Sequence, residues 1–164
     1  MRSITLSLFI TFISLGLFVG CKKDKLDDLT VPRLMIESRG MSYGGINGDV
    51  VKLPVSGTTI SVQSEPVVNE FDILNVDMVK VDLGMALLIQ VGGNGARDLY
   101  RTSVTNMGSR IVLMVNGNAI GARRIDGAIQ DGNFYTFVEL DDEELGQLVL
   151  DLKDSLVRIQ DSLN

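Results

Sequence analysis

The segment Ser109–Leu140, SRIVLMVNGNAIGARRIDGAIQDGNFYTFVEL, contains the clearest structural signals of the chain. It begins with Ile111–Val115, an unbroken apolar run that is typical of a strand buried on both faces and also of a buried piece of helix. Asn116-Gly117 favours the strand, because this pair supplies the positive φ angles that a two-residue type I′ turn needs. We therefore predict a hairpin, with a returning strand over Ala119–Ile125 and a further strand around Phe134.

The returning strand carries two adjacent arginines, Arg123 and Arg124. Charged residues within a strand suggest a sheet edge or a bend. An exposed edge can bind an extended polypeptide by strand addition, which uses main-chain hydrogen bonds. Arg123 and Arg124 are therefore the candidate binding residues of the chain.

The chain before this stretch is predicted to consist mostly of strands. A single helical turn is expected over Asn69–Leu74, with Asn69 as its cap, and a β-bulge is expected near Val79, where the apolar phase shifts. The predicted strands are Val31–Glu37, Val50–Val55, Thr58–Ser64, Val76–Leu83 and Met85–Val91.

Two amphipathic helices are predicted, near residues 94–107 and 141–161. Gly108 stands where a C-terminal cap of the first helix belongs, and Asp141 and Glu144 form a capping box at the start of the second. The apolar faces comprise Ala96, Leu99, Tyr100, Val104 and Met107 in the first helix, and Leu145, Leu148, Val149, Leu152, Leu156, Ile159 and Leu163 in the second. The pattern predicts an α+β fold, a two-layer sandwich in which two helices pack on one face of a mixed or antiparallel sheet.

Composition argues against several classes of function. The formal net charge is −6 at pH 7, and an acidic domain without a basic stripe is a poor ligand for nucleic acid. The chain contains no His, which removes imidazole as a metal ligand and as an acid–base group. Gly93-Asn94-Gly95 lacks the third glycine of the dinucleotide fingerprint, and no Lys-Ser/Thr follows the Gly-rich segment Arg39–Asp49. We therefore predict no cofactor, no metal site and no enzymatic activity.

Residues 1–20 resemble a bacterial lipoprotein signal peptide. Arg2 gives a positive start, residues 4–19 are apolar apart from Ser, Thr and Gly, and Gly20 places a small residue before Cys21. Cys21 is the only cysteine, so lipidation explains it better than an internal disulfide or a redox role. The alternative is an uncleaved membrane anchor, but the span is short for a bilayer and lysines follow it. We predict lipidation at Cys21, a tether over residues 21–30 and a domain over residues 31–164.

The order of the predicted elements resembles the head subdomain of the first periplasmic domain of SecD and SecDF, accessory subunits of the bacterial Sec translocase. The resemblance rests on a strand, a Gly-led helix with an Asn-x-Gly-x-Arg segment, a strand with an Asn-Gly turn, and an acid-capped helix. It covers most of Val31–Leu156, and its motifs are turns and core residues. They include Leu87–Val91, Gly95, Leu99, Thr102, Asn106–Arg110, Ile111–Ile120, Ile125, Ile129, Gly132–Phe134 and Leu140–Leu145.

The resemblance implies a module that holds an emerging exported polypeptide. The sequence shows no transmembrane bundle of the SecDF kind, so a proton-driven motor is not implied. We expect a non-catalytic, lipid-anchored binding module; the alternative is a structural or self-associating lipoprotein that forms part of a larger complex. The expected location is the bacterial cell envelope, facing the periplasm. Lys22 follows the lipidated cysteine in place of Asp, which favours the outer membrane.

Overall fold

The computed structural model describes residues 29–38 and 48–162. Within these residues the chain forms eight strands, two α-helices and one short 3-10 turn at Glu70–Asp72. In chain order they are β1 (Pro32–Ile36), β2 (Asp49–Lys52), β3 (Thr59–Val62), β4 (Ile73–Val81), β5 (Gly84–Val91), α1 (Gly93–Thr105), β6 (Arg110–Val115), β7 (Asn118–Arg124), β8 (Asn133–Thr136) and α2 (Asp142–Ser162). The predicted α+β class is confirmed.

The described strands form three antiparallel sheets with the orders β1-β6-β7, β2-β3 and β4-β5-β8. Isolated bridges add further contacts: Glu37, next to β1, pairs with Val62 of β3, and Gly121 of β7 pairs with Val138, which follows β8. The strands therefore follow the antiparallel option of the prediction, but they are divided among three small sheets.

The hairpin β6–β7 has the predicted turn. Asn116 has a φ of 48° and Gly117 a φ of 80°, as a type I′ turn requires. The expected bulge near Val79 is wrong, because β4 pairs with β5 in regular register through this residue. The register shift lies instead between Ile73 and Asn75, where the chain leaves the 3-10 turn. Met78 and Val79 are both partly buried, which explains the apolar phase change without a bulge.

The sheet β1-β6-β7 is packed on both faces, which explains the unbroken apolar run of β6. Successive residues of a strand point to opposite faces. Ile111 and Leu113 therefore enter the larger hydrophobic core, formed with β4, β5, β8 and the two helices. Val112 points the other way, into a smaller core with Met35 of β1 and the hairpin β2–β3.

The first helix buries a face that differs from the predicted one. Leu99 is buried as expected, but the other buried residues of α1 are Gly95 and Ser103. A Cβ on Gly95 would lie 2.4 Å from that of Asp72, and Ser103 Oγ accepts a hydrogen bond from the Ile129 N–H at 2.9 Å. These close approaches turn the helix so that Tyr100, Val104 and Met107 remain about half exposed.

The second helix follows its prediction closely. The Glu144 N–H donates to Asp141 Oδ1 at 2.8 Å, which confirms Asp141 as the cap. The apolar face packs largely on β4, and Leu163 lies outside the described residues. Its buried apolar residues are Leu145, Val149, Leu152, Leu156 and Ile159.

Candidate binding surfaces

The candidate residues Arg123 and Arg124 end strand β7, which lies at the edge of its sheet. Part of that edge is already occupied. Gly121 forms a bridge with Val138, and the Glu139 N–H donates to the Ile120 carbonyl at 2.7 Å. Around the two arginines, the end of β7 has no paired strand on its outer side among the described residues.

A small cavity of about 240 Å³ lies where β7 and β8 diverge beside Arg123 and Arg124. Arg123 Nη1 donates to the Tyr135 carbonyl at 3.0 Å, while Arg124 Nε lies 3.7 Å from Asp126 Oδ1. Asp131 also lines the cavity, and hydrogen bonds from the backbone and side chain of Asn133 lower its pKa. The cavity therefore contains both signs of charge and is smaller than a typical ligand pocket.

A larger groove, of about 640 Å³, lies between the face of β1 and β6 and the start of β2. Its floor comes from Arg33 and Met35 of β1 and from Met114 of β6. Met114 is partly buried there, whereas Met35 is almost fully covered by the smaller core. The lining residues are Val31, Arg33, Met35, Asp49, Val50, Val51, Val62, Ser64, Met114, Asn116 and Gly117. The sequence-based predictions missed this groove, because no local pattern places β2 against the face of β1.

The groove has the features of a site for an extended chain. Its volume falls within the range of ligand-binding clefts. Met114, which is partly exposed, provides an unbranched, polarisable side chain that adapts to different partners. Among the described strands β2 pairs only with β3, so its second edge presents main-chain donors and acceptors.

The ladder of β2 and β3 shows which groups point to this edge. The Leu53 N–H donates to the Thr58 carbonyl at 2.9 Å, and Val50 lies opposite Ser61 in the same register. Hydrogen-bonded pairs alternate along an antiparallel ladder. The N–H and C=O groups of Val50 and Lys52 therefore point away from β3, toward the open side.

An ion pair anchors β1 beside the groove. Arg33 donates to both carboxylate oxygens of Glu70, at 2.8 and 2.9 Å. The hydrogen bond from Arg33 lowers the pKa of Glu70, and the same contact raises the pKa of Arg33. The pair neutralises Arg33, so Asp49 is the lining residue whose charge has no such partner among the described side chains.

The substitution Glu70→Gln is expected to cost about 0.5–1 kcal/mol of unfolding free energy at pH 7, since Arg33 is half exposed. The folded pKa of Glu70 lies below the ordinary value of 4.5, so its contribution is complete above that value and is lost as the pH falls through the folded pKa. Urea denaturation at pH 7 and in the acid range measures the free energy of unfolding of Glu70→Gln and of the unmodified protein. The difference between the two free energies should become smaller as the pH falls. Glu65→Gln, at an exposed position, is the control. An equal pH effect in this variant would show that the effect does not arise from the ion pair of Arg33 and Glu70.

Glu139 holds the hairpin β2–β3 at its far end. Its Oε2 accepts hydrogen bonds from the backbone N–H groups of Val55 and Ser56, at 2.7 and 2.9 Å. The Ser56 side chain and these N–H groups lower the pKa of Glu139. The turn of the hairpin is thereby fixed to the segment that follows β8, while its open end borders the groove.

The described residues contain no group of three or more His, Cys, Asp or Glu side chains arranged to hold a metal ion. None of the helices in the described ranges is long and apolar enough to cross a membrane. Cys21, the predicted signal peptide and most of the Gly-rich segment Arg39–Asp49 lie outside the described residues.

The fold is similar to part of SecDF. A crystal structure of SecDF in a super-membrane-facing form gives a TM-score of 0.56 at 17% identity, over 75% of this chain and 18% of that chain. A second structure, of "a membrane component SecDF that enhances protein export", gives 0.55 at 17% identity, over 76% of this chain and 62% of that one. The chain thus spans less than a fifth of the first SecDF chain. No family model and no curated protein matches it. The expected SecD-like head fold is confirmed, as a fold.

Proposed function

We propose that this protein is a non-catalytic binding module of the bacterial envelope that holds extended segments of exported polypeptides. The observation that carries the proposal is the groove of about 640 Å³ beside the unpaired edge of β2. The SecDF-like fold supports it, because one of the similar structures is described as enhancing protein export. Lipidation at Cys21, with the domain facing the periplasm from the outer membrane, would place the groove where exported chains pass.

Binding would combine main-chain and side-chain contacts. An extended segment adds to β2 through the outward N–H and C=O groups of Val50 and Lys52. Its alternate side chains then lie against Met114, whose flexibility accepts many sequences. The end of β7 at Arg123 and Arg124 offers a second, shorter edge for the same kind of contact.

The substitution Val50→Pro tests the groove. Proline removes the outward N–H of Val50 and leaves the hydrogen bonds between β2 and β3 in place. We expect binding of an unfolded polypeptide to the full chain to weaken about tenfold or more, since an edge contact of two to three main-chain hydrogen bonds is disturbed. The measurement is a fluorescence-anisotropy titration with a labelled, permanently unfolded secretory protein.

Two further variants make the test specific. Val50→Ala retains the N–H and should bind like the unmodified protein. Arg124→Pro reports on the end of β7 in the same assay, because Arg124 is the candidate at that second edge. Unchanged binding in Val50→Pro together with loss in Arg124→Pro would move the site to β7, and unchanged binding in both would refute strand addition.

Photo-crosslinking in cells distinguishes the proposed function from its alternative. A crosslinking side chain at Val50 should capture many different exported polypeptides, whereas the same probe at Leu150, exposed on α2, should capture few. One dominant envelope protein captured from Val50 would indicate a dedicated subunit of a larger complex instead.

A further inference from the structure

Charge is distributed unevenly along the chain. Between Asp98 and Asp126 there is no acidic residue, while this segment contains four arginines. Residues 126–162 carry ten acidic and two basic residues. An acidic domain therefore contains one cationic segment, which spans the second half of α1, β6 and β7.

The fold brings the ends of this segment together. Arg124 lies opposite Arg110 in the β6–β7 ladder, and the Gly108 N–H donates to the Ile125 carbonyl at 2.9 Å. A Cβ on Gly108 would lie 3.5 Å from the Arg124 guanidinium. The end of β7 therefore lies against the residues that leave α1.

Three arginines of α1 and β7, namely Arg97, Arg101 and Arg124, present their charge at the surface. Arg97 donates to the neutral Asn94 side chain, and Arg101 lies 3.3 Å from Asp98 with both side chains exposed. Arg124 and its partner Asp126 are likewise exposed, so solvent screens both pairs. Arg110 differs, because Glu37 binds its guanidinium through both carboxylate oxygens.

Exposed apolar side chains lie beside Arg97 and Arg101 on α1. Tyr100, Val104 and Met107 are 45%, 47% and 49% exposed. Arg97, Tyr100, Arg101 and Val104 stand at three- and four-residue spacing, which places them on one face of the helix. Arginines beside Tyr and Val on an exposed helix face are typical of helices that lie in a membrane interface.

We infer that this face of α1, with Arg124 beside it, docks on an anionic phospholipid surface. Charge complementarity selects this occupant: the cationic segment faces headgroup phosphates, while Tyr100 and Val104 enter the interface. The proposed anchor would add to the effect, since the seven residues between Cys21 and Leu29 span at most about 28 Å and keep the domain near the bilayer. The docking face is separate from the groove and goes beyond the proposed function.

A local fluorescent reporter tests the inference in the full chain. The chain contains no Trp, so Val104→Trp introduces a single reporter on the docking face, and Val157→Trp places a matched one on α2, where Val157 is also exposed. The proteins are mixed with phosphatidylcholine vesicles, with or without phosphatidylglycerol, that carry a lipid-borne quencher. We expect a blue shift and quenching for Val104→Trp in anionic vesicles, several-fold weaker effects in neutral ones, and little change for Val157→Trp.

Charge variants complete the test. Adding Arg97→Gln and Arg101→Gln to Val104→Trp should lower the docked population about tenfold or more, whereas adding Arg158→Gln on α2 should not. High salt should act like the arginine substitutions. Equal quenching at the two reporter positions, or quenching independent of lipid charge and of the two arginines, would overturn the inference. So would burial of the Val104→Trp reporter by an unfolded polypeptide in the absence of vesicles.

Discussion

The substitution Phe134→Ala is expected to lower the free energy of unfolding by about 3–5 kcal/mol. Phe134 is 1% exposed and is the largest of the fully buried side chains in the described chain. It lies in β8 opposite Ile89 of β5, inside the larger core. Loss of the ring removes its burial energy and leaves a cavity. The hydrogen-bonded strands around it cannot close that cavity.

Urea and thermal denaturation measure this effect. A loss of this size corresponds to a melting temperature lower by about 10 °C or more for a domain of this length. Phe71→Ala is the matched control, because Phe71 is 55% exposed in the 3-10 turn and should cost less than about 1 kcal/mol. Similar losses of unfolding free energy for the two variants would show that Phe134 of β8 is not buried in the larger core as described.

The second large effect is expected for Gly121→Ala, about 2–3 kcal/mol of destabilisation. Gly121 is the residue of β7 that bridges to Val138. A Cβ at this position would lie 2.4 Å from the Phe137 carbonyl oxygen and 3.2 Å from the Cα of Val138. Both are backbone atoms, so no side chain can rotate away. The contact between β7 and the segment after β8 must open.

Two other glycines supply controls for Gly121→Ala. A Cβ on Gly127 or Gly146 would meet no heavy atom within 4 Å. Gly127→Ala should change stability little, and Gly146→Ala should stabilise α2 by about 0.5–1 kcal/mol. Amide exchange should show lost protection of Glu139, whose N–H donates to Ile120, in Gly121→Ala alone. Retained protection of the Glu139 amide in Gly121→Ala would contradict the described contact between β7 and the segment after β8.

The features that were predictable from sequence are those fixed by neighbouring residues. Asn116-Gly117 determines its own turn through the φ angles that it can adopt, and Asp141 caps a helix three residues before Glu144. The face of α1 was not predictable in this way. Its apolar pattern places Tyr100 and Val104 inside, but the close approach of Gly95 to Asp72 turns the helix around Leu99.

The candidate sites show the same division. The position of Arg123 and Arg124 at the end of an edge strand follows from the hairpin pattern. The partial closure of that edge does not, because Val138 and Glu139 arrive from a later part of the chain. The groove depends on how one hairpin lies across the face of another sheet. Its lining combines Met35, Val50 and Met114 from three strands, and such packing has no periodic signature.

The division of the interior into two cores has a consequence for motion. The hairpin β2–β3 belongs to the smaller core, and the hydrogen bonds from Val55 and Ser56 to Glu139 hold its turn. A unit with few buried contacts opens at a lower free energy than the whole domain. We therefore expect the sheet β1-β6-β7 to be the more stable wall of the groove and the hairpin β2–β3 to be the wall that opens at lower free energy. Opening of this hairpin alone would widen the groove for larger side chains, while the larger core around Phe134 remains folded.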